Sequence, residues 1–416
     1  MNSTLGPLRE GGHVVIIGGG PGGAACALAL SRLTNQMGKH LKITILEGKQ
    51  FAGEHHYNQC VGVLSLPLPS LLEDQLGVPF PYHLSQGEIQ GYILHTDKEQ
   101  IKMTGDEKTS IALRRVQFDA YMLEMVKQRG IRIIPARAVD LEFHSENVLV
   151  YTESKPQECD VVVGAFGMDE GSAALFARHT AYRPPQALSS VVTKYHPDSK
   201  RMAAFGPYIH AFLPSHPRIE FGAITPKSSH LTINIAGRSV DVTLMQDFMN
   251  QLAVRTVLPN LMHAGQYIQN DQRFFKGRFP FSLAQHYYGD RYVMVGDAAG
   301  LVRAFKGKGV TSAVLTGIRA AETILKTGFT RQAFHNHYRI ANQDITHDLP
   351  YGRGMRLLTI LLSRYGLLDP VLIAARQDPN LQSALFDAIS ARAPYRQILI
   401  RTLHPNSILA IIRAMI

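Results

Sequence analysis

The chain has 416 residues, 45% of them hydrophobic and 18% charged, with a net charge of +10. That length suffices for two or three domains with buried cores, and that composition excludes a disordered chain. No apolar run reaches the roughly 18 residues of a membrane span, the polar stretch 1–12 has no signal-peptide core, and no nucleic-acid-binding motif accompanies the positive charge.

In chain order, His13 to Ile17 reads as a short buried strand, Gly18 to Gly23 as a glycine turn, and Ala24 to Leu33 as a helix of small residues. Leu41 to Leu46 is a second strand ending at Glu47, which completes a βαβ unit. Residues 58–81 are rich in Leu, Pro and Gly and read as a structured loop. A helix over Phe118–Arg129, a strand over Ile131–Pro135, a strand pair over Val139–Tyr151 and a strand over Asp160–Gly164 follow. Between Leu188 and Ile235 the runs Ser189–Tyr195, Ile219–Ile224 and Leu231–Ile235 predict the antiparallel sheet of a second domain. A helix over Val242–Val257, a strand over Arg291–Val295 and a helix over Gly309–Thr327 come next. From about residue 332 the chain reads as helical and apolar, with Leu-rich stretches at Leu357–Leu368 and Ile408–Ile416.

The glycine turn is a GxGxxG on Gly18, Gly20 and Gly23, with Pro21 and Gly22 between them. The first glycine permits the tight turn, the second lets backbone approach a pyrophosphate on the helix N-terminus, and the third allows close helix–sheet packing. Glu47 stands where a carboxylate accepts hydrogen bonds from ribose hydroxyls and repels a 2′-phosphate, so FAD or NAD is expected rather than NADP. A second site is Gly296-Asp297-Ala298-Ala299-Gly300, followed by Gly307, Gly309 and Val310 at the start of a helix. Asp297 can hold a ribityl hydroxyl, and the helix N-terminus can face a flavin ring that becomes anionic on reduction.

These two motifs, with Arg115 and Asp119 in an R-x-x-F-D segment, resemble the hydroxybenzoate hydroxylase-like flavoproteins. The resemblance implies bound FAD, with Arg115 near its phosphates or ribityl chain. Within that superfamily, Gln59 to Ser65 and the segment Pro207 to Gly222 resemble the geranylgeranyl reductase group, whose loop cysteine lies near the flavin. Two departures stand out. The chain has no Trp, although that segment ordinarily carries one and flavin-dependent halogenases carry two. Phe166 replaces the Asp that helps flavin hydroxylases bind FAD and NAD(P)H.

The expected fold is therefore α/β. A discontinuous Rossmann-like FAD-binding domain (1–180 and 280–345) holds an inserted β-rich substrate domain (181–279), and a helical C-terminal region (346–416) follows; part of 82–110 is open to either domain. The expected function is an FAD-dependent reductase or dehydrogenase that moves a hydride between flavin and a hydrophobic substrate, an isoprenoid lipid or quinone, with an unidentified electron donor. The alternatives are an aromatic or polyketide monooxygenase and a non-catalytic FAD-binding protein. Cys60 is the candidate proton donor, against the plainer reading of a packing thiol. Cys26 and Cys159 read as packing residues. No metal is expected, because three cysteines and eighteen histidines show no ligand spacing. Localisation is expected to be cytoplasmic. The C-terminal helices either dock on the core or touch an anionic membrane through Arg401, Arg413 and Ile408–Ile416.

Overall fold

The computed structural model describes residues 5–49, 60–105, 110–258, 273–303 and 309–415. The strands of its two large sheets are, in chain order, β1 His13–Ile17, β2 Lys42–Leu46, β3 Gly91–His95, β4 Gln100–Thr104, β5 Arg132–Ile134, β6 Val161–Gly164, β7 Ala187–Tyr195, β8 Tyr208–Phe212, β9 Phe221–Lys227, β10 His230–Gly237, β11 Phe274–Pro280, β12 Tyr288–Gly289 and β13 Tyr292–Met294. The principal helices are α1 Pro21–Gln36, α2 Arg115–Gln128, α3 Val242–Asn250, α4 Gly309–Lys326, α5 Leu349–Arg364, α6 Leu368–Ala375, α7 Pro379–Ser390, α8 Tyr395–Thr402 and α9 Pro405–Met415.

The first sheet has the order β12–β13–β6–β1–β2–β5, parallel except at the β12–β13 edge. Its central strands are buried on both faces, which is why they read as unbroken apolar runs rather than as alternation. Helices α1 and α4 cover one face, and they meet at two glycines: a Cβ on Gly317 would lie 2.3 Å from the Gly22 carbonyl oxygen. Small residues at that crossing let both helix N-termini reach the same end of the sheet.

The second sheet has seven strands in the order β11–β7–β10–β9–β8–β3–β4. Strands β3 and β4, from 91–104, thus pair with strands from 187–280. One face is apolar: Val191, Ile224, Ile233 and Ile235 pack with Phe248 of α3. The predicted helix over 242–257 is two helices, Val242–Asn250 and Leu252–Arg255, because Gln251 is extended (φ −61°, ψ 141°). The opposite face is apolar at its β3–β8 end, where Leu94 and Ala211 pack against Leu372 of α6 and Ile389 of α7.

That end also buries a histidine pair. His95 Nε2 and His210 Nδ1 are 2.9 Å apart. Burial pulls their pKa values down, to about 4 for His95 and about 3 for His210, and in His210 the neighbouring His95 adds to the effect. An unfolded histidine titrates near 6.5, so the unfolded chain binds more protons below that pH. The contribution is complete above pH ~6.5 and is lost as pH falls toward 4, at about 1.4 kcal/mol per pH unit for each group still neutral in the fold. Urea unfolding at pH 7.5 and pH 5 should show this loss, and His210→Phe should flatten it; an equal loss in the variant contradicts the assignment.

Candidate flavin and substrate site

Strand β1 ends at Ile17, and Gly18 turns the chain with φ +105°. A Cβ on Gly18 would lie 2.5 Å from the Ala165 carbonyl oxygen, and one on Gly23 would lie 2.0 Å from the Gly18 carbonyl oxygen. These two glycines are required by the protein's own packing. Gly20 differs: no atom of the described residues lies within 4 Å of a Cβ there. It is the N-cap of α1, makes no side-chain cap, and is followed by Pro21 at the first position with no acidic residue in the first turn. Among the described residues nothing covers or caps the N-terminus of α1, which suits an anion such as a pyrophosphate.

Glu47 follows β2 at the same end of the sheet. Its carboxylate accepts from the Gly19 amide at 2.8 Å and the Lys49 amide at 2.7 Å, which fixes it beside the glycine turn. Asp297 follows β13 in a turn that needs two left-handed glycines, Gly296 (φ +58°) and Gly300 (φ +68°). Burial raises the Asp297 pKa above the usual carboxylate value, and Arg115 partly offsets this. Arg115 itself donates to Asp119 at 2.7 Å. Desolvation lowers its pKa, but Asp119, Cys60 and Asp297 outweigh it and hold the guanidinium charged. Gly309 opens α4 with Asp297 Oδ1 3.7 Å from where its Cβ would be, and Val310 is buried in the first turn behind it. Gly307 lies outside the described residues.

Gly18, Gly20, Pro21, Gly22, Gly23, Glu47, Arg115, Gly296, Asp297, Gly309 and Val310 therefore converge on one end of the parallel sheet, and Cys60 joins them from the side. Its thiol is exposed and accepts from the Gly62 amide at 3.4 Å. It acts electrostatically on both Arg115 and Lys227. Cys26 and Cys159 are buried, and burial pushes the Cys26 thiol up to about 12 and Cys159 higher still. The Phe166 ring stacks on Phe176 at 5.6 Å and meets Tyr182 at 6.3 Å. Among the described residues no His, Cys, Asp or Glu group could hold a metal.

Sequence reasoning missed Lys227 and the row His230, Thr232 and Asn234. Lys227 is buried and donates to the Leu113 carbonyl oxygen at 2.9 Å, beside Gly62. His230, Thr232 and Asn234 are buried on β10, and His230 Nε2, Thr232 Oγ1 and Asn234 Oδ1 have no hydrogen-bond partner among the described residues. The signal was available: polar residues at every second position of H-L-T-I-N-I mark one polar face of a strand whose other face is apolar.

No family model matches the chain. It is 22% identical to a flavin-dependent halogenase of Armillaria mellea over 426 residues, covering 92% of this chain and 76% of that one. It is also 22% identical to an uncharacterised protein of Methanosarcina barkeri, covering 78% and 79%. Among solved structures it is similar to a geranylgeranyl bacteriochlorophyll reductase-like protein from Thermoplasma acidophilum, with TM-score 0.66, 15% identity and coverage of 98% and 96%. The flavin-dependent brominase Bmp2 gives TM-score 0.63 at 16% identity, with coverage of 96% and 99%. The chain thus has the α/β fold of these flavoproteins over nearly its whole length, as the motif resemblance led one to expect.

Proposed function

We propose that the chain is an FAD-dependent oxidoreductase that transfers a hydride between the flavin and a hydrophobic substrate. The observation that carries the cofactor is the open N-terminus of α1 at Gly20, with Glu47 and Asp297 at the neighbouring strand ends. The named flavoprotein relatives support it. FAD, when bound, supplies a centre that accepts and gives up a hydride. Gly20 and the first turn of α1 would receive its pyrophosphate, Glu47 its ribose hydroxyls, Asp297 and Arg115 its ribityl chain, and Gly309 and Val310 its ring. Cys60 would hold a proton at the substrate side of the site and deliver it to a carbon that receives a hydride. Phe166 favours this reading over an NAD(P)H-driven monooxygenase, because a phenyl ring packed on Phe176 offers no hydrogen bond to either cofactor. NADPH alone should reduce the bound flavin slowly while dithionite reduces it readily; rapid anaerobic reduction by NADPH overturns the reductase assignment.

Asp297→Ala should lower FAD affinity by one to two decades, since one charge-assisted hydrogen bond is worth about 1.5–3 kcal/mol. Equilibrium dialysis of the reconstituted variant reads this directly, and an unchanged dissociation constant contradicts the ribityl role.

We propose also that the C-terminal helices meet an anionic membrane, the source of such a substrate. No single described helix is long and apolar enough to cross one. Leu357 and Leu361 of α5, Tyr365 at its C-cap, Ile400 of α8 and Leu409 and Ile412 of α9 are nonetheless exposed. The region 348–416 carries eight Arg and four Asp, with no Lys or Glu. Co-sedimentation with phosphatidylglycerol vesicles, absent with phosphatidylcholine vesicles, is the expected result.

A further inference from the structure

The face of the seven-stranded sheet opposite α3 changes character along its length. Antiparallel pairing sets Lys227 opposite His230, Thr225 and Lys194 opposite Thr232, and Ala223 and Val192 opposite Asn234. Paired residues share a face, so two lysines flank a row of polar side chains on the central strand. The row is built but unsatisfied. His230, Thr232 and Asn234 are more than nine-tenths buried, yet each has a side-chain polar atom without a partner among the described residues. A buried polar atom left unpaired is costly, so three in register on one strand mark a place where another molecule completes the bonding. Among the described residues the charged groups that act on His230 are basic: Lys227, Lys194, His196 and Arg114. Across from this row stand Leu113 and Gly62, and Cys60 lies within electrostatic reach of Lys227.

Along the same face, beyond Ala223, the surface becomes apolar. A narrow cleft of about 30 Å³ lies there, lined by Leu94, Leu188, Ala211 and Phe221 from the sheet, by Ile360 of α5 and Ile389 of α7, and at one side by the Glu220–Arg356 pair. Ala211 pairs with Ala223, and Ala223 pairs with Asn234, so the cleft ends one residue pair from the polar row.

We propose that this face takes an amphipathic acid. A carboxylate or phenolate oxygen would sit at the His230–Thr232–Asn234 row under Lys227 and Lys194, and the apolar remainder would run into the cleft beneath α5. The inference rests on the flavin reading for its role as the substrate platform, and it refines the substrate from merely hydrophobic to hydrophobic with an acidic oxygen next to the reacting end. The lysines supply the charge for that oxygen, and the hydroxyl and amide of the row supply the hydrogen bonds that orient it.

The probes are 4-butylbenzoate, 4-butylbenzamide and 4-methylbenzoate, titrated calorimetrically at pH 7 into the apoprotein and the FAD-loaded protein. The acid should bind at least about tenfold more tightly than the amide, because only the acid engages the lysines as a charge. Lys227→Met and, independently, Asn234→Leu should each shrink that preference to about threefold or less. Ala211→Phe should remove the advantage of butyl over methyl by filling the cleft. Equal binding of acid and amide, or an undiminished preference in both Lys227→Met and Asn234→Leu, overturns the proposal. Acid-selective binding in a protein that takes up no FAD supports the oxyanion subsite and overturns the flavin reading. FAD uptake without acid selectivity overturns the subsite alone.

Discussion

Gly20→Asp should leave the apoprotein as stable as the native chain while lowering FAD affinity by at least about a hundredfold, or roughly 2.7 kcal/mol. The two halves of this expectation come from one observation. A Cβ at Gly20 meets no atom of the described residues within 4 Å, so they raise no steric objection to a side chain there. Asp is a preferred N-cap, and replacing Gly by Asp changes helix stability by only a few tenths of a kcal/mol. The same space is where a pyrophosphate must approach the α1 amides, and a carboxylate would both fill it and repel the phosphates. Gly23→Ala supplies the contrast. Its Cβ would lie 2.0 Å from the Gly18 carbonyl oxygen, and the apoprotein itself should lose about 3 kcal/mol. Thermal unfolding of the two apoproteins beside FAD titrations separates the cases. A Gly20→Asp protein that binds FAD normally contradicts the placement of the pyrophosphate.

Arg356→Met should cost about 3–5 kcal/mol of stability. Arg356 on α5 makes a two-pronged ion pair with Glu220, at 2.6 Å and 2.5 Å, with both side chains largely buried. Its guanidinium also lies 4.5 Å from the centre of the Phe281 ring. This pair joins the C-terminal helices to the sheet and lines the apolar cleft. Removing the arginine leaves the Glu220 carboxylate buried without its cation, and that uncompensated charge is the main cost. The double variant Arg356→Met with Glu220→Gln should recover most of the loss, because the strongly penalised charge is gone. Denaturant unfolding of the single and double variants closes the cycle. A single variant within about 1 kcal/mol of the native chain shows the pair to be dispensable.

The cofactor end of the molecule was legible because its signals are local. Strand β1 was expected at His13–Ile17 and lies there, and Glu47 and Asp297 follow strands that read as short apolar runs. Glycine at Gly18 and Gly23 reports a steric constraint that no other residue meets, so the turn announces itself in sequence. The seven-stranded sheet was only partly legible. Strand β3 lies more than a hundred residues in sequence from β8, its neighbour in the sheet, β4 joins only through β3, and their short runs were not assigned. The helix expected at 242–257 kept its apolar stripe but breaks at Gln251, where extended backbone overrides the periodicity. The polar row of β10 was written in the alternation of the strand, yet its meaning depends on cross-strand partners and on burial. Neither is visible until the sheet is assembled.

FAD held at the α1 N-terminus between Glu47 and Asp297 is the premise of the proposed chemistry. Its most direct test is the flavin content of the protein purified and then reconstituted with FAD and, separately, with FMN. The expected result is one FAD per chain, released intact on denaturation, with no stable uptake of FMN, because only FAD carries the adenosine that Glu47 and the pyrophosphate site would receive. A folded protein that retains neither flavin, or that takes FMN as readily as FAD, would contradict it.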